Sequence, residues 1–169
     1  MEVTIREALP SDAAQIIAYM NRLSEEPSSN VEISPGEFNR TVEEEAEFLA
    51  GFAASENSVF FVAEAGGKIV GLLNCKGSSR KAIRHTTILG MSVDQDSRGM
   101  GIGSQLMARA IEWAKGTGII KRIELAAFER NKTAIHLYEK FGFVIEGKRR
   151  KAGFRDGQYL NGVIMGLLL

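Results

Sequence analysis

Residues 89–104 read Leu89-Gly-Met-Ser-Val-Asp-Gln-Asp-Ser-Arg-Gly-Met-Gly-Ile-Gly-Ser104. A β-type run through Val93 enters a loop with glycine at 99, 101 and 103. The loop passes without a break into a helical pattern from Ile102 to Lys115, with Leu106, Ala110 and Trp113 along one face. The start of a helix carries unpaired N–H groups and a partial positive charge, so a loop of this kind suits a phosphate. Glycine lets the backbone approach an anion closely and adopt conformations barred to other residues. Arg98 adds a permanent cation beside it. A P-loop would need Gly-Lys-Ser/Thr, but Gly103 is followed by Ser104 and Gln105. A dinucleotide GxGxxG fingerprint fails as well: from Gly101 it would need glycine where Leu106 stands, and from Gly99 where Ser104 stands.

Working outward, Val3 to Glu7 alternates as a first strand, and Pro10-Ser11-Asp12 supplies helix-start chemistry. Ile16, Ile17, Met20 and Leu23 then recur at helical spacing. Glu25 to Asn39 holds Pro27, Pro35, Gly36 and several serines, and reads as a loop. Thr41 with Glu44 has the form of a capping box. The helix after it is expected to put Val42, Leu49 and Phe52 on one stripe, with Glu43, Glu44, Glu45 and Glu47 largely elsewhere. Ser58 to Ala65 and Lys68 to Cys75 form a hairpin around Gly66-Gly67. His85 to Val93 and Ile119 to Phe128 are strands, Lys132 to Phe141 is a helix, and Phe143 to Ala152 and Tyr159 to Leu168 close the chain as strands. Asp156-Gly157 reads as a tight hairpin turn. The order is β-α-α-β-β-β-α-β-α-β-β. Three consecutive strands imply a mixed α/β sheet rather than a purely parallel one.

The chain has 169 residues, about one domain's worth, and the expectation is a single domain over residues 1–169. Hydrophobic residues make up 44%, enough to offset the entropy of ordering and so exclude disorder for the bulk of the chain. The single cysteine, Cys75, cannot form an internal disulfide, and no CxxC or zinc framework is present, so no metal is expected. No signal peptide or bilayer-length apolar run is visible, so a cytoplasmic protein without membrane attachment is expected. The net charge of zero hides an asymmetry: residues 1–64 carry 13 acidic and 3 basic side chains, and the remainder carries the opposite excess. Arg149-Arg150-Lys151 is too short a basic run, without neighbouring stacking aromatics, to suggest nucleic-acid binding.

The pattern Arg98-x-x-Gly101-x-Gly103 resembles the coenzyme A loop of the GNAT N-acetyltransferase family. A second motif, Asn131-x-x-Ala134-Ile135-x-x-Tyr138-x-x-x-Gly142-Phe143, is similar to the family's next helix. The element order also matches the family over nearly the whole chain. The tail from Glu146 to Tyr159 resembles a branch containing ribosomal-protein and small-amine N-acetyltransferases, although Asn161 stands where that branch commonly has Asp.

The resemblance implies a GNAT-like fold and acetyl-CoA as cosubstrate. It implies that Met91, Ser92 and Val93 pair with the pantetheine arm where their strand splays from the next. Arg98, Gly99, Met100, Gly101, Ile102, Gly103 and Ser104 are expected to cradle the pyrophosphate. Asn131 is expected to hold the arm from the other side, although asparagine also favours a helix N-cap. Tyr138 occupies the position of the tyrosine that faces the thioester sulfur, as general acid for the departing thiolate. The implied reaction is direct attack by an amine, helped by proximity and by a strand N–H near Val93. No base can be named: His85 and His136 read as surface residues, and Glu25, Glu26 and Glu32 lie in the loop that borders the acceptor in the family. Cys75 reads as a small buried side chain. The acidic half is expected to favour a cationic acceptor. Acceptors in view are a small amine or amino acid and, alternatively, a protein N-terminus; a non-catalytic acyl-CoA-binding module is the other class. Homodimers are common in the family, and exposed strand edges are compatible with one.

Overall fold

The computed structural model describes residues 2–169. Its elements are β1 (Val3–Glu7), α1 (Ala13–Glu25), α2 (Val42–Ala53), β2 (Val59–Ala65), β3 (Lys68–Gly77), β4 (Thr86–Val93), α3 (Ile102–Gly116), β5 (Arg122–Phe128), α4 (Lys132–Lys140), β6 (Val144–Arg155) and β7 (Gln158–Leu168). Short 3₁₀ turns at Pro10–Asp12 and Gln95–Ser97 lead into α1 and follow β4. This is the order read from the sequence. The seven strands form one sheet in the order β1-β2-β3-β4-β5-β7-β6. Only β4 and β5 run parallel; every other neighbouring pair is antiparallel, so the sheet is mixed.

Local chemistry accounts for the ends of these elements. Gly66 and Gly67 sit at φ +56° and +76°, and Asp156 and Gly157 at +54° and +75°, which is what two-residue hairpin turns of the twisted-ribbon type require. Thr41 and Glu44 form the reciprocal capping box that starts α2. Helix α4 ends in a Schellman arrangement, with Phe143 N–H donating to Tyr138 O (3.1 Å) and Gly142 N–H to Glu139 O (2.9 Å). Gly142 supplies the left-handed residue at φ +95°, and the Tyr138 and Phe143 rings pack at 5.9 Å. The stop signal of this helix therefore also fixes the Tyr138 ring.

Two apolar layers cover the sheet. Helices α3 and α4 lie over one face, where Leu106, Met107, Ala110, Ile135 and Tyr138 meet Phe61, Leu73, Leu89, Ile123 and Leu125. Helices α1 and α2 cover part of the other, where Ile16, Tyr19, Leu23, Leu49 and Phe52 meet Phe60, Val62 and Leu72. One expectation for these helices needs correction. Val42 is 47% exposed, while Glu45 is buried on the stripe of Leu49 and Phe52. Glu45 is accommodated because Arg40, just before the helix, binds its carboxylate at 2.8 Å; a buried charge needs such a partner. In α1 the fully buried ring is Tyr19, whereas Ile17 and Met20 are only half-buried.

Candidate active site

The parallel contact between β4 and β5 is short. It covers Thr86↔Arg122, Thr87↔Ile123 and Ile88↔Glu124, after which the strands diverge. Along its other edge β4 stays paired to β3 up to Gly71↔Val93. Asp94 N–H donates to Val70 O at 2.9 Å, so the alternation of an antiparallel ladder turns the main-chain groups of Met91 and Val93 into the gap. The expected splay is present, and β5 leaves the main-chain groups of Met91 and the Val93 N–H unpaired along it.

Two cavities meet at this gap. The smaller, about 480 Å³, is lined by Met91, Ser92, Val93, Arg98, Gly99, Gly101, Ile102, Gly103, Ser104, Asn131 and Tyr138, together with part of the α1–α2 loop. Every residue expected to hold the cofactor lines it except Met100, whose side chain is 56% exposed and turned to solvent. The larger cavity, about 1160 Å³, opens over the other face of β3, β4 and β5. Leu23, Asn30, Val31, Met91, Ser92, Asn131 and Tyr138 border both.

The glycine loop forms a row of donors. Among the described residues, no main-chain amide from Gly99 to Ser104 has a hydrogen-bond acceptor, whereas Gln105 N–H already donates to Gly101 O at 3.1 Å. Gly99 and Gly101 adopt φ +78° and +77°, and a Cβ on either would meet nothing within 4 Å. Their requirement is conformational. Gly103 differs: a Cβ there would lie 3.1 Å from Leu137 Cδ2, so glycine brings α3 against α4.

Arg98 lines the smaller cavity, but it is not a free cation. Its Nε donates to Val93 O at 2.9 Å, and its Nη2 is held by the Glu26 carboxylate. The other oxygen of Glu26 accepts the Gln95 N–H at 3.2 Å. Glu26 thereby ties the α1–α2 loop to the glycine loop. Of the other acidic candidates, Glu32 lies in that loop and lines the larger cavity, whereas Glu25 is the last residue of α1 rather than a loop residue, is exposed and lines neither. His85 and His136 are exposed, as read from the sequence.

Asn131 is the N-cap of α4, its side chain accepting from Ala134 N–H at 3.3 Å, and it also faces both cavities. Tyr138 is buried where the cavities join, and its hydroxyl has no hydrogen-bond partner among the described residues. Burial pushes its pKa up to about 12, so the phenol keeps its proton at neutral pH. Cys75 is buried in β3, and burial raises its thiol to about 12. The sequence reading missed Tyr19, whose hydroxyl donates to Ser92 Oγ at 3.0 Å from the far side of β4. Its place at the i+3 position after Ile16 was the available signal.

The charge asymmetry of the sequence does not carry over to the larger cavity. Five of the 13 acidic side chains of that half are paired: Asp12 and Glu64 bind Arg6, Glu26 binds Arg98, Glu45 binds Arg40 and Glu56 binds Arg84. The cavity is lined by Arg40, Lys76, Arg122 and Arg149 against Glu32, Glu45 and Glu124. Arg40 and Arg122 are paired with Glu45 and Glu124. Lys76, Arg149 and Glu32 have no ion-pair partner among the described residues, so the wall offers both signs. Among the described residues no group of three or more His, Cys, Asp or Glu is placed to hold a metal, and no helix is long and apolar enough to cross a membrane.

Comparison with known proteins agrees with this geometry. The acetyltransferase (GNAT) family model matches residues 21–143. The L-amino acid N-acetyltransferase AaaT of Escherichia coli is 36% identical over 99 residues, 59% of this chain and 61% of AaaT, so the match leaves more than a third of that relative uncovered. A crystal structure of a GNAT-family acetyltransferase from Streptococcus pneumoniae superposes with a TM-score of 0.95 at 37% identity, covering 99% of each chain. The structure of yncA from Salmonella typhimurium, solved with acetyl-CoA as its cofactor, shares the fold with a TM-score of 0.86 at 20% identity, over 100% of this chain and 95% of that one. The loop, the splayed strands and the family match converge, and the chain belongs to the GNAT acetyltransferase family.

Proposed function

We propose that this chain transfers the acetyl group of acetyl-CoA to the primary amine of a small acceptor, an amino acid or similar small amine. The observation that carries the reading is the row of unpaired amides from Gly99 to Ser104, opening on a cavity that ends at Tyr138. These donors at a helix start fit a diphosphate, and the Met91 main-chain groups with the Val93 N–H fit an amide-bearing arm, the Val93 carbonyl being taken by Arg98. Bound acetyl-CoA supplies the acetyl group already activated as a thioester. The protein supplies the rest. Its two cavities hold donor and acceptor on either side of the splay, turning a two-body encounter into a local one. The strand edge offers an N–H at Val93 where negative charge develops. Tyr138 Oη holds the proton that the departing sulfur takes up, and the proton shed by the acceptor nitrogen as the amide forms leaves through water.

The acceptor assignment rests on the larger cavity. Lys76 and Arg149 suit a carboxylate and Glu32 suits an ammonium, a combination matched by a zwitterion. AaaT, named for L-amino acids, supports the same class. The test is thiol release from acetyl-CoA across a panel of amino acids, polyamines and peptides. Turnover on free amino acids or small amines is expected. Release with peptides alone would move the acceptor to protein N-termini, and binding of acetyl-CoA without any acceptor-dependent release would remove the enzyme reading.

A further inference from the structure

Segment 24–33, from the end of α1 into the α1–α2 loop, is the wall common to both cavities, and besides the Arg98–Glu26 pair two arginines from distant parts of the chain hold it. Arg130, between β5 and α4, donates to Asn30 Oδ1 at 2.8 Å and Ser29 O at 2.9 Å. Arg155, at the end of β6, donates to Ser24 O at 2.6 Å, Ile33 O at 2.8 Å and Val31 O at 3.1 Å. Asp156, next to Arg155, lies 3.6 Å from Arg130, so the two anchors are linked. Nothing else in the loop resembles a regular element between Glu25 and Val42.

The anchors fall on different sides. Ser28 and Ser29 line only the smaller cavity, and Glu32 and Ile33 only the larger. Arg130 holds Ser29 O on the first side and Arg155 holds Ile33 O on the second, while Asn30 and Val31, held by one arginine each, line both cavities. A guanidinium suits this task because its planar fork reaches several carbonyls at once, which a lysine ammonium on a flexible stem does not reproduce.

We propose that Arg130 and Arg155 are positioning residues that divide the control of this wall: Arg155 sets affinity for the acceptor and Arg130 sets affinity for acetyl-CoA. The assignment of the two ligands rests on the proposed function; the clamp itself rests on the hydrogen bonds alone. With Glu26 also tied to Arg98 and to the Gln95 N–H, the segment is fixed in the free protein, and losing the bonds of one anchor opens it locally while the sheet remains folded.

The test uses the full chain with Arg155→Ala, Arg130→Ala and the two lysine variants. Hydrogen exchange of residues 26–33 is read in the free protein, acetyl-CoA affinity by calorimetry, and acceptor KM by thiol release with the best amine of the panel. For Arg155→Ala, exchange in the segment is expected to rise about tenfold, with acceptor KM up by a similar factor and acetyl-CoA Kd within about twofold of the parent. Arg130→Ala is expected to show the reverse split. The lysine variants should recover the thermal midpoint but not the affinities. Unchanged exchange over 26–33, both affinities moving together in both variants, or full rescue of affinity by lysine would each overturn the proposal. If the parent turns over no amine, the proposed function fails, while exchange and acetyl-CoA affinity still decide whether the clamp exists and whether Arg130 governs that side.

Discussion

The Tyr19 hydroxyl, fully buried under α1, donates to Ser92 Oγ at 3.0 Å and joins that helix to the strand edge along the splay. Ser92 borders both cavities, so the bond supports a residue at their junction. Burial raises the Tyr19 pKa well above the usual tyrosine value, and the phenol stays neutral. Tyr19→Phe keeps the ring and removes the donor, and is expected to cost about 1 kcal/mol of stability, as for one buried hydrogen bond. Urea denaturation at pH 7 checks it; an unchanged midpoint would show that the bond contributes nothing.

Tyr138→Phe probes the other side of the junction. Because no described residue bonds its hydroxyl, the substitution is expected to leave the thermal midpoint and acetyl-CoA affinity unchanged. kcat is expected to fall by about 10²–10⁴, the range for loss of a positioned proton donor. A drop in affinity with kcat intact would assign Tyr138 to binding instead.

Gly101→Ala tests the loop through its backbone. At φ +77° an alanine is strained by about 1–2 kcal/mol although its methyl meets no atom. The expected result is weaker acetyl-CoA binding with little change in acceptor KM, measured by calorimetry and steady-state kinetics.

Cys75 gives a pH-dependent prediction. Its thiol rises from the ordinary 9.0 to about 12 because burial disfavours the thiolate. A group with a raised folded pKa contributes stability that is present below the unfolded value and lost as pH climbs through the folded one. Stability is therefore expected to fall between about pH 9 and 12, less so in Cys75→Ala measured against its own neutral-pH value. At pH 8 the native protein should resist thiol reagents and react only on unfolding.

Where the signal was local, the sequence was legible. The Gly66-Gly67 and Asp156-Gly157 turns, the Thr41–Glu44 capping box and the Gly142 stop each lie within a few residues of what they determine. The Arg98-x-x-Gly101-x-Gly103 motif located the donor row for the same reason. Glu45 was misread because periodicity scores a glutamate as exposed, and its partner Arg40 lies outside the helix. The anchoring roles of Arg130 and Arg155 gave no signal, although Arg155 lies in the tail that resembles a branch of the family. Their acceptors are main-chain carbonyls and the Asn30 side chain, 100 or more residues away, a relation that only the folded chain creates. The pairing of Arg98 with Glu26 and the mixed charge of the larger cavity are tertiary in the same way.

The brief β4–β5 contact has a mechanical consequence. Strands β1–β4 with the first three helices make one leaf, β5–β7 with α4 make the other, and three residue pairs form the backbone seam between them. Any molecule lodged in the gap touches both leaves and acts as a rivet. Occupancy should therefore harden the whole body against heat and proteolysis, in step with the logarithm of ligand concentration above its dissociation constant.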